Sequence, residues 1–561
     1  MKHRSRSGSE LRDDVSNSRR MPRSWRVFAL ALVVFFGVAA VWSAATPLLA
    51  APDEPSQIVK AAAVVHGRLS AVCFYVPNTT TSACNENTQG ALGFETLPAF
   101  YDLVRAPDSV DNGAHSQICF KNQKNLGLGV LPASCARSLN TPATASEITL
   151  KYNQNASTYQ ARYPPLYYAV VGLPSLFRGS TIDVYLMRML SSLISAIFLA
   201  LALTAVVRYS RNRALLIGVM LATTPMVFFL AGVVNSSGLE ITAAIASWTC
   251  GVVLVTERLA EPPLGLIVMF TVAAVVLELV RPLSPLWLGL IVLVLLTCGD
   301  RRELTTAMQL RSLRISLGML LVFGALALWW IVAMHATDLY LGSNPGVPAS
   351  VSIITILETA FRHNSYYLPD MVGVFGWFDT YAPLATYVMW TVMLLAIVIT
   401  AAVRSLRAAL TLGCFVIAIT VLPPVIEASH AHLDGYTWSG RDLLPFAVGL
   451  PIVAAAMLWQ IVQRPGRSGS IRVTRTMIVG GAAANFLAFY EALRRYSVGT
   501  HGSIFGFILH PDWHPALGIP LSLGLGLSAV IALAAIFMWS SALIGGTHEK
   551  SGDIMLVTRN E

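Results

Sequence analysis

Twelve apolar runs mark the chain, at roughly 27–46, 185–207, 214–234, 240–256, 264–280, 283–298, 315–334, 383–403, 408–426, 443–463, 476–493 and 520–544. Most approach the ~20 residues a helix needs to cross the hydrocarbon core of a bilayer. The pattern therefore predicts an all-α polytopic membrane protein with about 12 transmembrane helices. The fifth and sixth runs are short and parted only by Arg281-Pro282. They read as a hairpin, because one long broken segment would make the number of crossings odd.

The polar segments between the runs give the orientation. Residues 1–26 form a tail with eight Lys/Arg and three acids. Arg208, Arg211 and Arg213, then Arg301, Arg302, Arg311 and Arg314, then Arg404 and Arg407, then Arg464, Arg467, Arg472 and Arg475 fall on the same side as that tail under strict alternation. The opposite turns at 235–239 and 281–282 hold one basic residue between them. Basic loops stay in the cytoplasm, so both termini are expected inside a plasma membrane. On this map 1–26 is a cytoplasmic tail, 27–46 the first transmembrane helix and 47–184 an outer loop. A bundle of about eleven helices spans 185–544, with outer loops at 335–382, 427–442 and 494–519, and 545–561 is a second cytoplasmic tail. Ser43-Ala44-Ala45 resembles a signal-peptidase site, but the run before it is long enough to span and the tail is long and basic, so an anchor is the better reading.

Composition agrees with the pattern. The chain is 55% hydrophobic and 12% charged over 561 residues, with mean hydropathy +0.61. No soluble domain needs that much apolar surface. The net charge of +9 has a topological cause and does not imply nucleic acid.

Four of the seven cysteines, Cys73, Cys84, Cys119 and Cys135, lie in the first outer loop. An even set in one soluble segment implies two disulfides in an oxidising compartment. The local pairing Cys73–Cys84 with Cys119–Cys135 is expected among three alternatives. A zinc site is the weaker reading, because no Cys-x-x-Cys spacing or nearby His pair accompanies them. Cys250, Cys298 and Cys414 fall in or beside apolar runs, where a lone cysteine acts as a small hydrophobe. Residues 166–178, after Arg162-Tyr163-Pro164-Pro165, are apolar but too short to cross. They read as a helix lying in the outer interface.

The remaining polar signals gather on the outer face. Pro52-Asp53-Glu54-Pro55 stands where the first helix leaves the membrane. Carboxylates pinned there suit chemistry on a lipid-linked substrate, although proline beside acids is also an ordinary helix stop. Asn235, Glu240, Glu278, Arg281, Asp379, Glu427, His430, His432, Asp434, Arg441, Asp442 and four residues of the last outer loop lie on the same side. Charges at a membrane edge are costly and need a reason. Trp377 and Phe378 could be belt aromatics, and Arg281 and Arg441 could snorkel to headgroups. His430 and His432 would share a face on a strand and could then hold a metal.

The residues also carry a resemblance. Pro52-Asp53-Glu54-Pro55-Ser56-Gln57-Ile58-Val59-Lys60 with His66-Gly67-Arg68-Leu69 resembles the opening motif of a bacterial multi-spanning family catalogued as domain of unknown function 2142. Tyr163–Tyr168, Val234–Leu239, Gly376–Asp379 and Gly440–Pro445 resemble its later motifs in order. The chain departs from the family's pattern at Gln57, where His is frequent, and at Asp442, where Gly-Arg-Tyr is frequent. The family is similar in layout to the GT-C glycosyltransferases, which use polyprenyl-phosphate sugars. The resemblance implies transfer of a sugar from a polyprenyl-phosphate donor to an envelope glycan or lipid acceptor on the outer face. Asp53 is then the catalytic-base candidate and Glu54 its partner or a metal ligand. Arg281 and Arg441 are candidates for the donor phosphate, with Tyr163, Asn235, Asp379 and His430 lining the cleft and a divalent metal allowed for. The cytoplasmic loops are too short for a nucleotide-sugar domain, which favours a lipid-linked donor. A lipid or polysaccharide transporter would show repeats and mid-span charges, and an envelope-glycan polymerase a large outer loop later in the chain.

Overall fold

The computed structural model describes residues 23–69, 102–105, 155–158, 160–177, 181–257, 262–299, 305, 308–334, 336, 346–376, 378–461, 467–499 and 502–557. Cys73, Cys84, Cys119, Cys135 and Trp377 lie outside the described residues, and the expected disulfides with them. Cys250, Cys298 and Cys414 are free thiols.

The described residues are mostly helical. Helix α1 spans Arg23–Ala45 and α2 spans Glu54–Val65. The paired strands β1 (Asp102–Arg105) and β2 (Asn155–Thr158) are antiparallel. Then follow α3 (Leu166–Val171) with a 3-10 turn over Leu173–Leu176, α4 (Thr181–Tyr209), α5 (Ala214–Ala222), α6 (Pro225–Ala231) and α7 (Ser236–Thr256). The short helices α8 (Leu264–Glu278) and α9 (Ser284–Cys298) precede α10 (Arg311–Ala333). Two small helices, α11 (Ile353–Arg362) and α12 (Asn364–Gly373), lead to the antiparallel pair β3 (Val374–Phe375) and β4 (Thr380–Tyr381). The chain ends with α13 (Leu384–Arg404), α14 (Leu406–Asp434), α15 (Gly440–Ala447), α16 (Gly449–Ile461), α17 (Arg467–Val498) and α18 (Ile519–Val557).

Among the described residues nine helices are long and apolar enough to cross a membrane, or ten with the bent pair α5–α6 taken as one span. The expected twelve is not reached, because α8 and α9 have 15 residues each. They rise about 22 Å, short of the ~30 Å core. The α5–α6 bend is 58°. It falls at Thr224, which proline at 225 keeps out of the helical region. Thr223 and Thr224 hydroxyls donate to the carbonyls of Met220 and Met371, both at 2.9 Å.

Helix α7 is the hub. Nearly all of it is buried, and it packs against α4, α8, α9, α15 and α16. Small residues allow the close approach, as membrane helices require. A Cβ on Gly449 would meet the Trp248 ring at 2.2 Å, and one on Gly251 would meet Leu295 at 2.4 Å. The outer ring, α10, α13 and α14, turns apolar side chains such as Leu321, Leu384 and Val403 outward, where lipid replaces water as the solvent.

One loop boundary also differs from the sequence expectation. Helix α14 runs through Pro423-Pro424 to Asp434, so most of the 427–442 loop is helix. Pro424 has no N–H for the Thr420 carbonyl, and Asn364 Nδ2 donates to that oxygen instead at 3.0 Å. His430 and His432 therefore sit on a helix, where a spacing of two turns them to different sides. His432 faces the Val347 carbonyl and His430 faces Ser429. The shared face needed for a metal is lost.

Candidate functional site

The acidic pair is split by the local backbone. Asp53 is the N-cap of α2 in the left-handed region, φ 64°. Glu54 begins the helix and turns inward. Its carboxylate is fully buried against Arg188 of α4, with Arg188 Nε donating to Oε1 and Nη2 to Oε2, both at 2.6 Å. Leu49 N–H and Val234 N–H donate to the same carboxylate at 3.0 and 3.1 Å. Arg188 spends its other donors on the carbonyls of Ser43, Thr46 and Pro47. This pair fastens the end of α1 to α4 and leaves Glu54 enclosed by protein donors. The arrangement gives it the part of an anchor, not of a group facing substrate.

Asp53 points the other way and forms an ion pair with Arg441 of α15, which lies 388 residues along the chain. Arg441 is placed by the start of its helix. Ser439 and Asp442 form a capping box there. Gly440 lies against α12, where a Cβ would meet the Tyr367 carbonyl oxygen at 2.0 Å, so glycine is required for the approach. The Arg441 guanidinium carbon lies 5.0 Å from the centre of the Phe378 ring, a cation–π distance. Phe378 itself has φ 61°. Left-handed backbone is rare for a bulky residue. Among the described non-glycine residues only Leu49, Asp53 and Phe378 adopt it, and all three lie in loops that build this site. Such strain is held where surrounding contacts impose it, commonly at functional sites.

Arg281, at the α8–α9 turn, bridges two carboxylates. Nη1 donates to Glu240 at 3.1 Å and Nη2 to Asp442 at 3.0 Å. Its guanidinium also lies 5.7 Å from the centre of the Tyr163 ring. Burial disfavours the charge on Arg281, but Glu240, Tyr163 and Asp442 outweigh it and push its pKa up. Asp442 thus links Arg281 to the helix start that carries Arg441. Asn235 caps α7 through Ser237 N–H at 2.9 Å and donates to the Pro52 carbonyl at 3.0 Å. Asp379, next to Phe378, forms an ion pair with Arg495 in the last turn of α17.

The structure thus brings Asp53, Arg441, Arg281, Tyr163, Asn235 and Asp379 to one end of the bundle. His430 is exposed on α14 and, among the described residues, is paired with its neighbours Ser429 and Ile426 on that helix. Gln57, at the position that departs from the family pattern, is buried and accepts from the Tyr168 hydroxyl at 2.6 Å. Among the described residues no group of three or more His, Cys, Asp or Glu could hold a metal. Two arginines were missed from sequence. Arg188 had a signal, a lone guanidinium within an apolar run that must find a partner. Arg495 had none beyond its place at the end of a span.

A family model described as predicted membrane protein, DUF2142, matches residues 35–450, well over half the chain, and the chain belongs to that family. No curated protein matches it in sequence. Two solved structures are similar. One is ArnT from Cupriavidus metallidurans bound to undecaprenyl phosphate, 16% identical, covering 77% of this chain and 76% of that one with TM-score 0.35. The other is the same protein in the apo state, 17% identical, covering 77% and 75%, with TM-score 0.34. Scores this low do not make the folds equivalent.

Proposed function

We propose that this member of the DUF2142 family is a membrane glycosyltransferase of the GT-C type. It moves a sugar from a polyprenyl-phosphate donor to an envelope glycan or glycolipid at the outer face of the plasma membrane. The observation that carries the reading is the meeting of Asp53 and Arg441 at a strained, half-enclosed site where helices end. Such transfer needs a carboxylate for the acceptor hydroxyl and positive charge for the leaving phosphate, and both are present.

The acceptor oxygen attacks the anomeric carbon while Asp53 takes its proton. The bond from that carbon to the phosphate oxygen breaks, and its electron pair stays on the phosphate, which remains attached to the lipid. Arg441 and Arg281 balance the charge through charge-assisted hydrogen bonds. Each of these guanidiniums already faces a carboxylate. A phosphate that takes Arg441 from Asp53 frees the base at the moment the donor is in place. Glu54 and Arg188 hold the Asp53 turn in position, as rigid support for a reacting group requires.

The basic loops on the opposite side support an outward-facing cluster. The α8–α9 hairpin adds either two crossings or none, so the sides of the later loops do not depend on whether it spans. With α5–α6 as one crossing, ten or twelve spans both put the two termini on one side, and the basic loops favour the cytoplasm for it. The test is transfer by purified protein in nanodiscs from a polyprenyl-phosphate sugar, compared with the Asp53→Asn variant. Loss of transfer by at least ~10² is expected, the scale of a missing general base. Transfer at the wild-type rate by that variant would remove Asp53 from the mechanism.

A further inference from the structure

In the last turn of α17 the protein buries donors that it does not use. Arg495 is 3% exposed. Its Nη2 reaches Asp379, but Nε and Nη1 are buried with no hydrogen-bond partner among the described residues. Three of the five N–H donors of a guanidinium lie on those two nitrogens. Tyr496, next in sequence and 1% exposed, has a buried hydroxyl in the same condition. Buried donors are nearly always paired, so a cluster of unpaired ones asks for an absent acceptor.

Arg188 shows what a purely structural arginine looks like in this fold. It too is fully buried, yet it makes five hydrogen bonds, to three backbone carbonyls and to both Glu54 oxygens. Arg495 makes one. Its place is also particular. Asp379, which fixes its guanidinium, follows Phe378, whose ring lies against the guanidinium of Arg441. One tight turn, held by a left-handed Phe378 and by Gly376 at φ 63°, therefore sets both guanidiniums. Arg495 lies outside the 35–450 region matched by the family model.

We infer that Arg495 and Tyr496 complete an oxyanion site beside Arg441, and that its ligand is the phosphate of a membrane-borne lipid. A phosphate offers several acceptor oxygens in the arrangement a guanidinium and a hydroxyl can share. The site lies where spans end, the level of lipid headgroups. Asp379 does not compete for the unused nitrogens; it holds the guanidinium in one orientation. The inference rests on the lipid-phosphate reading of the donor, but concerns binding and not transfer.

Native mass spectrometry of the full-length protein, with sugar-free polyprenyl monophosphate and separately with inorganic phosphate, tests it. Arg495→Lys keeps the charge but loses the fork, and Arg495→Gln with Asp379→Asn removes the charge without stranding a buried carboxylate. Thermal unfolding checks that both fold. Lipid binding should weaken about tenfold or more in the neutral double variant and less in the lysine variant, with little retention of inorganic phosphate. Unchanged lipid affinity in both variants, no lipid binding by the wild type, or inorganic phosphate held as tightly as the lipid overturns the inference. Binding that depends on Arg495 without any sugar transfer supports the site and defeats the transferase reading. Transfer with binding independent of Arg495 does the reverse.

Discussion

Replacing Arg188 by Met should unfold this protein more readily than any change at the reacting groups, and the structure says by how much. The substitution leaves Glu54 fully buried with only the Leu49 and Val234 N–H groups as donors, and strips donors from the carbonyls of Ser43, Thr46 and Pro47. Five lost charge-assisted bonds at ~1.5–3 kcal/mol each would approach or exceed the whole ~5–15 kcal/mol stability of an ordinary domain. They are therefore not additive, and the uncompensated buried charge decides the cost, about 3–5 kcal/mol. Adding Glu54→Gln removes that charge and keeps an acceptor for the two backbone donors. The double variant should regain about 2 kcal/mol, within the usual range of coupling between contacting residues. Unfolding in detergent, followed by intrinsic tryptophan fluorescence, measures both. Transfer by the folded double variant should stay within roughly tenfold of wild type, since an anchor can be replaced and a general base cannot. Equal stability of Arg188→Met and wild type would refute the anchoring role. So would a double variant no more stable than the single one. A stable double variant with no transfer would give Glu54 back a part in the chemistry.

Arg441→Ala should weaken donor affinity or rate by about tenfold to 150-fold, the worth of a charge-assisted hydrogen bond at ~1.5–3 kcal/mol, and Arg441→Lys should rescue only in part; donor titration at fixed acceptor reads this, and full rescue by lysine would mean simple headgroup contact. Arg281→Ala strands the buried Glu240 carboxylate, so it should lower the unfolding temperature as well as donor affinity, while Arg281→Lys should restore stability before affinity. Cysteines placed at the exposed positions Ser350 and Ser503 should react with an impermeant thiol reagent outside intact cells, and cysteines at the exposed Arg211 and Arg404 should not. The opposite labelling would put Asp53 in the cytoplasm and end the lipid-donor reading.

The class of protein, the positions of most spans and the gathering of charge on one face were legible in the sequence. They follow from composition and run length, and the bilayer reads those locally, since ~20 apolar residues span it whatever their neighbours are. The residues of the cluster were legible for a related reason, because charges at a membrane edge are too costly to be incidental. Their pairing was not. Asp53 and Glu54 are adjacent and chemically alike, yet the left-handed backbone at Asp53 sends one carboxylate to Arg441 and the other to Arg188. One carboxylate stays partly exposed and the other is spent on the fold. Pro423-Pro424 breaks the hydrogen-bond ladder within α14, but Asn364 from another helix donates to the freed Thr420 carbonyl and α14 continues to Asp434. The same continuation separates His430 from His432. Arg495 looks from sequence like any basic residue at a span's end, and only the packing around it shows donors buried and unused. In each case the deciding partner lies tens to hundreds of residues away. Sequence determines what each segment can do in a bilayer, and tertiary structure determines which buried group must answer which.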